Sequence, residues 1–101
     1  MANWDADGAE PVAADTLQNA YRFIEALPVD CPLPSVGAEP DGHVSLEWYR
    51  ATNRLLSVSV SPEGVLYYAA LLADEDPRGS CRFDGEVPEM ILHWIWRVCT
   101  P

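Results

Sequence analysis

The sequence predicts an α+β domain: an N-terminal helix, an antiparallel meander of three to four strands, and a C-terminal helix, with both helices packed on the sheet. Three observations predict it. Apolar residues recur every three or four positions over residues 17–27 and again over 91–98, the spacing of a one-sided helix. Over residues 44–60 the period drops to two, the spacing of half-buried strands. Prolines at 28, 32, 34 and 40 separate the two regimes.

Taken in order, residues 1–13 hold Asp5, Asp7, Glu10 and Pro11 among small side chains and read as a flexible acidic tail, with Trp4 as a docking candidate. Residues 14–101 form a single domain. Asp15 caps the first helix, and Gln18 three residues on completes a box-like arrangement. Leu17, Tyr21, Ile24 and Leu27 make its apolar stripe beside Ala20, and Pro28 ends it. Residues 28–42 read as an irregular extended crossing, pinned to the core by Leu33 and Val36.

Val44, Leu46 and Trp48 then face one way, opposite His43, Ser45, Glu47 and Tyr49. Residues 51–53 turn the chain, and Leu56, Val58 and Val60 alternate with Ser57 and Ser59. Ser61-Pro62-Glu63-Gly64 is a hairpin turn with Gly64 at a positive φ. Val65 to Leu72 is apolar on both faces and reads as a central strand covered on two sides. Residues 74–79 are a loop, Cys81 and Phe83 mark a short last strand, and Pro88 stands in the first turn of the second helix. Ile91, Trp94, Ile95 and Val98 point inward. Trp94 and Trp96, two apart on a helix, cannot share one face, which makes Trp96 a candidate exposed anchor.

The charge restricts function. Sixteen acidic residues oppose six basic ones, all arginine, for a net −10. Such a field repels nucleic acid, acidic membranes and anionic metabolites and favours a basic protein surface. Two arginines against nine acidic residues give −7 over residues 1–50; four against seven give −3 over 51–101. An odd set of cysteines (Cys31, Cys81, Cys99), no secretory leader and no long apolar run point to a reducing bacterial cytoplasm.

Chemistry-bearing patterns are sparse. There is no Gly-x-Ser-x-Gly and no phosphate-binding glycine loop. Cys31, His43, Cys81, His93 and Cys99 lack the close pairs of a structural zinc site, so neither a metal nor another cofactor is expected. Asp74, Glu75 and Asp76 are consecutive, where a calcium loop alternates its ligands. They read instead as a negatively charged prong, supplemented by Glu39, Asp41, Glu47, Asp84 and Glu86, with Trp96 as an apolar contact. A monomer or weak homodimer that binds rather than catalyses is the expectation.

The runs His43-Val44-Ser45-Leu46-Glu47-Trp48-Tyr49-Arg50, Ser57-Val58-Ser59-Val60-Ser61-Pro62-Glu63-Gly64, Leu66-Tyr67-Tyr68-Ala69-Ala70-Leu71 and Phe83-Asp84-Gly85-Glu86-Val87-Pro88-Glu89 resemble a family of short, uncharacterised bacterial proteins that travel with plasmids, prophages and integrative elements. The resemblance covers about residues 28–98 and carries no catalytic residue. By type, a small acidic mobile-element protein is similar to the anti-CRISPR proteins, several of which act as DNA mimics on type I surveillance complexes. That likeness implies a basic partner such as a Cascade subunit, with no cofactor. An antitoxin or immunity-type protein that neutralises a basic toxin suits the same charge.

Overall fold

The computed structural model describes residues 14–100. The acidic tail and Trp4 lie outside the described residues. The elements are α1 (Ala14–Glu25), β1 (Ser35–Ala38), β2 (Val44–Ala51), β3 (Arg54–Val60), β4 (Val65–Leu72), β5 (Arg78–Arg82) and α2 (Glu89–Cys99). The strands form one antiparallel sheet in chain order, β1-β2-β3-β4-β5. The expected α+β fold holds, with five strands rather than three or four.

Alternation decides which side of the sheet the helices cover. The registers Leu46↔Val58↔Tyr68 and Trp48↔Leu56↔Ala70 align the apolar residues of three strands into one continuous face. Both helices lie on that face: α1 contacts β2 and β3, while α2 contacts β2, β3 and β4. Leu46, Leu56, Val58, Val60 and Leu66 are fully buried there with Phe23, Ile91, Ile95 and Val98. Each such side chain contributes roughly 1.5–3 kcal/mol relative to exposure. Among the described residues no helix lies over the opposite face, which carries Ser45, Glu47, Ser57, Ser59 and Tyr67. β4 is therefore covered on one side only: its apolar outer positions, Val65, Ala69 and Leu71, are half-buried.

The first helix also departs from expectation, in rotation. It buries Thr16, Ala20 and Phe23, with Leu27 buried just past its end and Ile24 half-buried against the core, leaving Leu17 53% and Tyr21 65% exposed. The buried set is itself spaced four, three and four. Choosing it places the phenylalanine inside and keeps the tyrosine hydroxyl in water. Phe23 meets Phe83 with ring centroids 5.6 Å apart, within the favourable range for tilted aromatic pairs. The helix begins at Ala14, so Asp15 stands in its first turn and complements the dipole.

The proline-rich crossing contains a strand that its composition hides. Ser35–Ala38, between Pro34 and Pro40, pairs with β2 through Val36↔Leu46 and Ala38↔Val44. Prolines at either side of a short edge strand leave its ladder intact. Leu33 and Val36 are exposed; buried Cys31 anchors the crossing instead, and the Trp48 indole donates to the Pro32 carbonyl at 2.8 Å.

Gly64 takes φ +81 in the β3–β4 turn, as its position requires. Pro88 is the N-cap of α2 rather than a first-turn residue, and its carbonyl accepts from the Ile91 and Leu92 amides at 3.0 and 3.2 Å. At the other end of α2, Arg54 donates to the Val98 carbonyl at 2.8 Å and to that of Thr100, while Arg50 reaches the Cys99 carbonyl at 3.4 Å. Two cations thus stand on the negative end of the helix dipole.

Candidate binding surface

A meander sorts its turns alternately to its two ends. The β1–β2 turn, the β3–β4 turn and the β5–α2 connection share one end, called upper here; the β2–β3 turn and the β4–β5 loop share the lower end. This sorting also separates the charges. Glu39 and Asp41 lie in the first upper turn, Glu63 in the second, Asp84 and Glu86 in the connection, and Glu89 at the start of α2. All but half-buried Glu39 are exposed. Basic residues at this end are Arg82, which closes β5, and Arg22, whose guanidinium lies beside Gly85. Arg50, Arg54, Arg78 and Arg97 stand toward the lower end.

The expected acidic prong, Asp74–Asp76, is at that lower end, and its charge is partly answered. Glu75 receives both guanidinium nitrogens of Arg97 at 3.3 Å, and Asp76 lies 3.9 Å from Arg78. These are the carboxylate–arginine pairs among the described residues. Each is exposed and contributes little to stability, but each diminishes the negative field of the loop. The expected contact residues therefore divide. Glu39, Asp41, Asp84 and Glu86 gather at the upper end, and Asp74, Glu75 and Asp76 lie opposite. Glu47 stands exposed on the open face between Ser35 and Ser57. Trp96, 39% exposed, projects from α2 on the covered side of the sheet. No Cα pair of α1 and α2 comes within 8 Å, and Trp96 keeps more than a third of its surface in solvent. Trp94 is half-buried against the core, with the Arg97 guanidinium 5.3 Å from its ring centroid.

Glu63 and Glu89 also belong to the acidic end, beyond the contact residues expected from the sequence. Their signal was available in principle: both stand at element boundaries that any simple meander sends to the same side as residues 39–41.

The upper end continues into a depression on the open face. Its volume is about 650 Å³, and it is lined by Glu39, Ser45, Ser57, Ser59, Tyr67 and Arg78 among others. His43 stands at its upper rim. The imidazole stacks on Tyr67 at an interplanar angle of 11°, and its Nδ1 lies 3.2 Å from the Ser59 hydroxyl and 3.8 Å from Asp41 Oδ2.

The cysteines are disposed differently. Cys31 and Cys99 are buried, and Cys81 faces the helix-covered side opposite Leu66, across the sheet from His43. Burial raises all three thiols above the ordinary range; for Cys31 the neighbouring Cys99 and Asp30 add to the effect, while Arg50 and Arg54 moderate it at Cys99. A raised thiol pKa is the opposite of what an activated nucleophile needs. His93 lies exposed on α2, edge-on to Trp94.

Comparison of the chain with protein-family models, with curated proteins and with solved structures returned no match. Among the described residues no helix is long and apolar enough to cross a membrane.

Proposed function

We propose that this chain is a non-enzymatic binding protein that docks the acidic upper end of its sheet on a basic protein surface, one that otherwise holds nucleic acid. A single observation supports this reading above the rest. Glu39, Asp41, Glu63, Asp84, Glu86 and Glu89 share one end of the meander, whereas the arginine-paired carboxylates lie at the other. Turns of a sheet hold charges at fixed intervals, because neighbouring strands are about 4.8 Å apart. A row of carboxylates on rigid turns presents to an arginine- and lysine-rich groove what a phosphate backbone presents.

The resemblance to mobile-element proteins makes a type I CRISPR surveillance complex the first partner to try, with inhibition by occupation of its DNA channel. The test is competition. Purified chain added to a type I complex should displace labelled target DNA, and the binding should weaken steeply between low and physiological salt, as charge-driven association does. Absence of contact in pull-downs, with unchanged DNA occupancy, excludes that partner. Binding indifferent to salt excludes the electrostatic mode altogether.

A further inference from the structure

We propose that Glu39, Asp41 and His43 form a binding site for one divalent transition-metal ion of the zinc or cobalt type. Their donor atoms, one from each residue, all lie within 4.8 Å of one another. The spacing i, i+2, i+4 places them together because the turn is closed beneath them. The Glu39 amide donates to the His43 carbonyl at 2.8 Å and the Gly42 amide to the Glu39 carbonyl at 2.9 Å. Gly42 supplies the left-handed residue, φ +89, that so short a closure requires.

The imidazole separates this group from an ordinary acidic cluster. It is held from outside the turn, by the Ser59 hydroxyl at 3.2 Å and by the Tyr67 ring stacked against it. The Ser59 hydroxyl meets the same Nδ1 that faces Asp41, so a metal ion taken by this nitrogen replaces the hydroxyl there, while the Tyr67 ring keeps the imidazole in place. Asp41 is also positioned: its Oδ1 accepts the His43 amide at 3.1 Å, leaving Oδ2 toward the ring, 3.8 Å from Nδ1. One imidazole with two carboxylates favours zinc, cobalt or nickel over calcium and magnesium, which prefer oxygen alone. Three protein ligands leave at least one position for water or for a group from outside the chain. The net charge of −10 draws cations toward the turn. This inference does not depend on the partner proposed above, although a bound dication would cancel part of the acidic end.

In the sequence the group is inconspicuous, because its histidine partners carboxylates two and four residues before it rather than a cysteine pair. The test uses the full chain after chelator treatment, titrated with Zn²⁺, Co²⁺ and Ca²⁺ by calorimetry and by histidine ring NMR. Expected are one saturable zinc or cobalt site, calcium at least about tenfold weaker, and a cobalt spectrum without a thiolate charge-transfer band. Ring signals of His43 should respond to stoichiometric metal while those of His93 stay unmoved. Glu39→Gln and His43→Ala should each weaken binding about tenfold or more, and Asp74→Asn at the opposite end should not. Melting temperatures of the variants in chelator show whether they remain folded. If one is not folded, the ring signals of the unaltered chain decide. Non-saturable uptake, a thiolate band, unchanged affinity in folded His43→Ala, or a response at His93 instead of His43 would overturn the proposal.

Discussion

Ala73, just past β4, takes φ +56, a left-handed conformation that costs an L-residue with a Cβ about 1 kcal/mol. It is held there because its amide donates to the Asn53 carbonyl at 3.0 Å while the Glu75 amide closes on Leu72 at 2.8 Å. Ala73→Gly should therefore stabilise the fold by about 0.5–1 kcal/mol, read from the midpoint of urea denaturation at unchanged slope. The thiols give a second test at this scale. Each is raised by burial, so the folded chain keeps protons that the unfolded chain releases once pH passes the ordinary thiol value near ~8.5. The thiol contribution to stability is thus fully present below that value and is lost as pH rises toward the higher folded values. Denaturation midpoints should show this fall above about pH 8.5, and replacing Cys31 and Cys99 by alanine should flatten it. In the folded chain Cys31 and Cys99 should resist alkylation at neutral pH.

At the scale of the element, α1 is the sharpest case. Phe23→Ala should cost about 3–4 kcal/mol, because it empties a fully buried site against Phe83. Tyr21→Ser should stay within about 0.5 kcal/mol despite removing a large apolar ring, since that ring is exposed. Equal costs for the two would mean that the helix packs through the other stripe. The two stripes explain what was legible. Spacing established that α1 is a one-sided helix, but residues 16, 20, 23 and 27 fit the helical period as well as 17, 21, 24 and 27 do. Only the surface opposite decides between them. β2, β3 and α2 were legible because strict alternation, or a continuous 91–95–98 stripe, admits one solution. β1 was not, because four residues between prolines are too few to display a period; its pairing comes from the open edge of β2. The individual acidic residues were equally visible, and their gathering follows only once the strands are set in an antiparallel meander. Which of Glu39, Glu63, Asp74 and Asp84 share an end follows from strand order, a property of the whole sheet.

For the molecule as a whole, the sheet works as a sorting device for charge. Helices on one face bury the core, the other face stays open and half polar, and the turns divide between an acidic end and an end where arginines cap α2 and pair with Glu75 and Asp76. Functional weight thereby moves from the three consecutive carboxylates at 74–76 to carboxylates that are far apart in sequence. Two triple variants measure this shift most directly: Asp41, Asp84 and Glu86 changed to lysine, against Asp74, Glu75 and Asp76 changed to lysine. The net charge changes equally in both, so a general field effect cancels in the comparison. Each is titrated into a type I surveillance complex carrying labelled target DNA, alongside the unaltered chain. The prediction is that the unaltered chain and the 74–76 variant release the DNA, while the 41/84/86 variant loses at least about a hundredfold in affinity, the order expected for several close charge contacts. Equal competition by the two variants, or loss confined to the 74–76 variant, would contradict the assignment of the acidic end as the docking surface.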